Sequence, residues 1–206
     1  MRSLIENPPG FRFEPGPHTY WLGDRQVRGV SRILEAGGLK RPFYGRGGNA
    51  LKLGSQVHLL TEKMDLGQAG RWNWDPRVAA HGPCWSRFRE MFPFEILETE
   101  RPIYSKEHDY AGTPDRVVLV KVGRKWVRAI IEVKTGQEYP WHVYQTAAYA
   151  KLARCVLRRI VYLRPGDPKA PLGFVTKIHN ARLDWQRFSF SLATAGADAL
   201  EKVSAA

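Results

Sequence analysis

Long apolar runs are missing from this chain. No stretch approaches the ~18 consecutive apolar residues of a membrane-spanning helix, so no transmembrane span is expected. The opening residues MRSLIENPPG lack the apolar core of a secretory signal. Cysteine is scarce: Cys84 and Cys155 stand far apart and make neither a disulfide framework nor a metal-type pair. Reduced thiols in a cytoplasmic protein are the expectation. Internal repeats and low-complexity tracts are also absent, which sets aside solenoids and disordered linkers. Acid is in deficit: 20 Asp and Glu stand against 32 Lys and Arg, a net charge of +12. The sequence pI is near 10.0. That balance favours a polyanionic partner, most often nucleic acid, although a basic proteome would produce it too.

What is present suffices for a sizeable core. The chain has 206 residues, 43% of them hydrophobic, and a single domain over 1–206 is expected. Residues 1–48 read as an N-terminal hairpin, a short helix and a basic loop, 49–179 as the core, and 180–206 as a C-terminal helix. Short strands are expected at 11–13, 18–22 and 25–28 around the turn Gly23-Asp24. Ser31 is a fair N-cap for a helix stopped by Gly37-Gly38. The following loop mixes Lys40, Arg41 and Arg46 with Phe43 and Tyr44, a combination suited to phosphate contact and base stacking. It reads equally well as a solvated loop with a tucked aromatic pair.

A long helix is expected over 49–66, with Leu53, Val57, Leu60 and Met64 as its buried stripe. Beside that stripe lie Gly54, His58 and Glu62, one turn apart, with Gly54 removing bulk just before His58. A second helix is expected over 77–91, then a strand over 95–104 carrying Glu98 and Glu100, and a polar turn over 105–111. The stretch that organises the rest is Ala129-Ile-Ile-Glu-Val-Lys-Thr-Gly136, a buried strand ending at a glycine. Its partner begins at Asp115 and runs through 116–122, turning at Gly123. The antiparallel return sets Asp115 and Glu132 at one end of neighbouring strands, close enough to share a cation. Glu132 and Lys134, two apart, share a strand face. Carboxylates are the hard ligands that Mg2+ or Mn2+ prefers, and a lysine beside them can orient or help deprotonate a water and offset phosphate charge. A helix over 141–154 carries Gln145 and Tyr149 on one face, strands follow at 156–163 and 172–179, and a helix at 183–203 closes the chain.

In order, His58, Pro114-Asp115, Glu132-Val133-Lys134, and Gln145 with Tyr149 resemble the PD-(D/E)XK nuclease superfamily. The upstream helical histidine and the Gln-x-x-x-Tyr helix are similar to its RecB-like branch, which includes phage recombination exonucleases and mitochondrial genome maintenance exonucleases. The resemblance spans roughly 58–149; each motif is weak alone, and the ordered set is strong. It implies an α/β (α+β) fold with a restriction-endonuclease-like core, a mixed central sheet flanked by helices. It implies metal binding by His58, Asp115, Glu132 and the backbone carbonyl of Val133, with Lys134 as the catalytic lysine. Gln145 and Tyr149 would position the substrate; Glu100, and after it Glu62, rank lower as additional site residues. Some relatives carry four cysteines for an iron–sulfur cluster, which Cys84 and Cys155 cannot supply, so no such cluster is expected.

The resulting expectation is an Mg2+- or Mn2+-dependent DNA exonuclease of repair, recombination or replication, in a bacterial or phage-infected cell. Its DNA-binding residues would be Lys40, Arg41, Phe43, Tyr44 and Arg46. A restriction-like or structure-specific endonuclease, and an inactive nucleic-acid-binding module of the same fold, stand as alternatives. A homo-oligomer, or a recombination or single-strand-binding partner protein, is compatible with the resemblance.

Overall fold

The computed structural model of the chain describes residues 5–41 and 48–204. Two mixed five-stranded sheets flanked by helices make up the fold among these residues, the α/β class that the sequence implies. The first sheet joins β1 (Phe11–Glu14), β2 (Thr19–Leu22) and β3 (Arg25–Gly29) to β6 (Tyr110–Gly112) and β5 (Ile103–Ser105), in that spatial order. The second runs β10 (Phe174–His179), β9 (Leu157–Leu163), β8 (Lys125–Lys134), β7 (Arg116–Val122) and β4 (Glu95–Thr99). Only the β8–β9 pairing is parallel in this second sheet, and the intervening α5 (Trp141–Ala153) makes the crossover such a pair requires.

β8 is apolar over Ala129–Ile131 and at Val133 because both of its faces are covered. Val118, Ala129, Ile131 and Val133 pack into a core with Val57, Trp85 and Phe88. Those last three come from α2 (Gly48–Asp65) and α4 (His81–Met91). Val117 and Ile130 face the opposite core, with Tyr144, Ala148 and Tyr149 of α5. That second core also takes in α1 (Val30–Ala36) and α6 (Arg182–Ser204). Glu132 and Lys134 share the parity of Ile130, so they belong to the α5 side. Small residues bring α5 in tightly: a Cβ on Gly112 would lie 2.7 Å from the Tyr149 ring, so only glycine fits where β6 passes that helix.

The β7–β8 hairpin pairs Arg116 with Ile131 and Val122 with Lys125, turning at Gly123 with φ +59°. Asp115 therefore sits beside Glu132 at the open end, and the tip lies roughly 20 Å away at ~3.3 Å per residue.

Four local expectations are corrected. The stretch 95–104 is not one strand. It breaks at Glu100, whose φ is +45°, into β4 of one sheet and β5 of the other. The segment 105–111 is not a plain polar turn, because its end forms β6 with Tyr110 fully buried. The helix expected over 77–91 is two, α3 (Pro76–Ala79) and α4. Pro83 has no N–H for an interior turn, and the restart places it in the first turn of α4, where none is needed. Asp75 caps α3 by accepting from the Arg77 N–H. Ser31 caps nothing: β3 runs straight into α1 through Gly29, the observed N-cap residue. No helix among the described residues is long and apolar enough to cross a membrane.

Candidate metal centre and its cleft

The site forms where three elements end together. β8 delivers Glu132 and Lys134, the turn before β7 delivers Asp115, and the strained Glu100 lies between the two sheets. α2 reaches across with His58. His58 Nδ1 lies 3.2 Å from Asp115 Oδ1 and 3.5 Å from Glu100 Oε1. One ligand atom from each of His58, Glu100 and Asp115 falls within 4.8 Å of the others. The backbone is tied into the same knot: the Val133 N–H donates to Asp115 Oδ2 at 2.6 Å, and the Glu100 N–H to the Asp115 carbonyl at 3.1 Å. Lys134 Nζ donates to Glu132 Oε1 at 2.8 Å.

These groups are graded in exposure. The side chains of Glu132 and Asp115 are 2% and 5% exposed, whereas His58 and Glu100 reach 27% and 31%. The grade runs toward a cleft of about 640 Å³ lined by Gly54, His58, Glu100, Lys134, Tyr139 and Trp141, among others. Gly54 faces Thr135 across the cleft, not His58: a Cβ there would sit 3.5 Å from Thr135 Oγ1.

Charge in this cluster is crowded. Burial pushes the Glu132 carboxyl up, and repulsion from Asp115 adds to it; the Lys134 ammonium offsets only part, leaving it at about 7. Glu100 is also raised, by burial and by Asp115. Burial pulls the His58 imidazole down, but attraction to Asp115 and Glu100 outweighs that and raises it to about 10. Burial pushes Asp115 up, yet His58, Lys134 and the Val133 N–H hold it below the usual carboxylate range. For Lys134, burial is outweighed by Glu132 and Asp115, so its ammonium is favoured. Three carboxylates thus crowd around the His58 and Lys134 cations. Glu100 Oε1 is buried without a hydrogen-bond partner in good geometry, an oxygen open to a ligand bond. The donor set of oxygens plus one imidazole suits a divalent cation, which would relieve the repulsion.

The structure brings His58, Asp115, Glu132 and Lys134 together, but it ranks the acids differently from the sequence. Glu100 joins the tight three-residue group, while Glu132 stands beside it with Oε1 held by Lys134. Glu62 lines the cleft one turn beyond His58 and pairs with Lys63 at 3.5 Å. Val133 enters through its N–H. Gln145 Nε2 donates to Tyr149 Oη at 3.2 Å, both side chains buried, with Gln145 Oε1 left unpartnered. Lys40 Nζ pairs with Glu35 at 2.8 Å and lies 5.2 Å from the Trp141 ring centroid, so the start of the basic loop reaches this cleft. Arg41 is exposed; Phe43, Tyr44 and Arg46 lie outside the described residues.

Two supporting residues are not evident from the sequence. Arg116 is fully buried, donates to the Asp115 carbonyl at 2.7 Å and approaches Glu100 Oε1 at 3.6 Å. Asp65, at the end of α2, accepts from it at 2.6 Å. The one signal for them is an arginine opening a strand whose next four residues, Val117 to Val120, are all apolar.

No family model matches the chain, and no curated protein does. Among solved structures it is similar to LHK-Exo in complex with dAMP, at 12% identity over 87% of this chain and 93% of that one, with a TM-score of 0.47. The alkaline exonuclease LHK-Exo from Laribacter hongkongensis is similar over the same shares at a TM-score of 0.45. A phage-related exonuclease from Haemophilus somnus 129PT is 13% identical over 82% of this chain and 91% of that one, at a TM-score of 0.41.

Proposed function

We propose that this chain is a metal-dependent deoxyribonuclease, acting as an exonuclease. The observation that carries the reading is the convergence of His58, Glu100 and Asp115 within 4.8 Å, beside the Glu132–Lys134 pair, in an open cleft. A net charge of +12 suits a phosphate backbone. The ordered resemblance to RecB-like and phage-type nucleases supports a role in repair, recombination or replication.

His58, Glu100 and Asp115 would hold an Mg2+ or Mn2+ ion, with Glu132 beside them. Such an ion, when bound, polarises a phosphodiester and makes a bound water more acidic. The protein's own groups do the rest. Glu132 fixes the Lys134 ammonium through a charge-assisted bond at 2.8 Å, aiming it into the cleft where a phosphate oxygen or attacking water would lie. Asp115 is oriented by the Val133 N–H, and Glu100 by the Arg116 guanidinium. Gln145 and Tyr149 are buried and bonded to one another, with Tyr149 close to Glu132 and Asp115, and would support the site from that side.

Digestion of end-labelled linear and covalently closed DNA, single- and double-stranded, with Mg2+, Mn2+ or EDTA tests this. Loss of linear DNA from its ends, with closed circles intact and EDTA inhibiting, is expected. Cutting of circles would make it an endonuclease. Binding without any turnover would make it an inactive DNA-binding module.

A further inference from the structure

The cleft holds more than the metal-ligating groups need. Tyr139, 40% exposed, stacks on Trp141 with ring centroids 6.2 Å apart and planes 18° apart. His142 meets both rings edge-on, with centroids 4.2 Å from Trp141 and 5.6 Å from Tyr139. Lys134 Nζ lies 5.9 Å from the Trp141 centroid, and Lys40 Nζ, at the start of the basic loop, lies 5.2 Å from it. Tyr139, Trp141, Lys134, His58 and Glu100 therefore line one cleft, and Lys40 Nζ lies beside its Trp141 ring. An exposed tyrosine ring backed by a second ring is a stacking surface, and ammonium groups beside that second ring suit the phosphates that flank a stacked base.

We propose that Tyr139 and Trp141 form a nucleobase platform that takes the base next to the phosphate facing Lys134. This rests on the nuclease reading above and narrows its substrate. Inside a duplex both faces of a base are covered by its neighbours, so a base can lie on Tyr139 only when unpaired or frayed. The substrate is then a single strand or a frayed end. Recognition is tolerant of sequence, because every base offers a π face.

The test uses fluorescence anisotropy in EDTA with two probes of about ten nucleotides and equal phosphate number, oligothymidylate and a fully abasic strand. The full-length protein is compared with Tyr139→Ala and Tyr139→Phe, with folding followed by circular dichroism. Wild type should bind oligothymidylate about 5- to 150-fold more tightly than the abasic strand. Tyr139→Ala should lose most of that preference with abasic binding unchanged, and Tyr139→Phe, which keeps the ring, should retain it. A Tyr139→Ala protein that weakens both probes equally, or neither, would overturn the platform. So would faster digestion of blunt duplex than of single strands by the metal-loaded wild type. No cleavage of any DNA, with the oligothymidylate preference intact, would overturn the nuclease reading and leave the platform standing.

Discussion

Arg116 Nε donates to Asp65 Oδ2 at 2.6 Å with both side chains out of solvent, 0% and 2% exposed. Asp65 also accepts from Arg89 and from the Trp85 indole, while Arg116 continues to Thr61 and to the Asp115 carbonyl. This pair ties the end of α2, which carries His58, to the start of β7, which Asp115 immediately precedes. Asp65→Ala leaves a buried guanidinium without its counter-charge and should destabilise the protein by about 3–5 kcal/mol. Denaturant unfolding of both proteins measures it, and a destabilisation under about 1 kcal/mol would show the pair to be incidental.

Glu100 and Glu62 separate a ligand from a bystander. Glu100 lies in the three-residue group, whereas Glu62 pairs with Lys63 at the cleft wall. Calorimetric titration with Mn2+ should show Glu100→Gln weakening affinity by tenfold or more, roughly the 1.4 kcal/mol step expected when one charged ligand is removed. Glu62→Gln should titrate like wild type. The reverse ranking would move the centre along α2.

Basic residues should matter by position. Lys40 reaches the cleft, while Arg124 and Lys125 occupy the hairpin tip at the far end of β7 and β8. Replacing Lys40 and Arg41 by alanine should lower the salt slope of log K for a single strand by about 0.7 for each phosphate no longer neutralised. Replacing Arg124 and Lys125 should leave the slope nearly unchanged. Equal effects from the two pairs would mean that charge acts diffusely.

Acid should weaken the fold through His142. Burial, and then the Lys134 and Lys40 ammonium groups, pull its imidazole down to about 3. Its ring nitrogen meets Tyr162 Oη at 3.0 Å and its ring packs against Tyr139 and Trp141. Between the ordinary value of 6.5 and about 3, the unfolded chain takes up a proton that the folded chain does not. The cost is therefore absent above pH 6.5 and grows as pH falls, reaching roughly 2 kcal/mol at pH 5. Unfolding at pH 7.5 and pH 5 should show His142→Gln losing less stability than wild type, and equal losses would place the acid sensitivity elsewhere.

The fold and much of the site are legible in the sequence because they follow from periods and from near neighbours along the chain. Alternation between the two cores at Ile130, Ile131 and Val133 defines β8, and its register with β7 sets Asp115 near Glu132. The helical period of α2 sets His58 beside its buried stripe, and the part of His58 in the site is legible only through the resemblance to RecB-like nucleases. Glu100 is undervalued because a single strand over 95–104 would point it by simple alternation, and the φ of +45° that breaks the strand has no local signal in the sequence. Asp65 and Arg116 stand 51 positions apart, and nothing in either neighbourhood pairs them. The stacking of Tyr139 on Trp141 depends on how the loop after β8 folds back, which no periodicity encodes.

If the cluster around Asp115 and Lys134 performs metal-dependent hydrolysis of DNA, its chemistry should divide between those two residues. Digestion of an end-labelled linear strand by wild type, Asp115→Asn and Lys134→Ala, each folded and titrated with Mn2+, tests this most directly. Wild type should digest the strand only with metal. Asp115→Asn should lose both Mn2+ affinity and activity, whereas Lys134→Ala should keep Mn2+ affinity but lose at least about a hundredfold in rate. Wild-type digestion by either folded variant, or digestion by wild type in EDTA, would contradict the assignment.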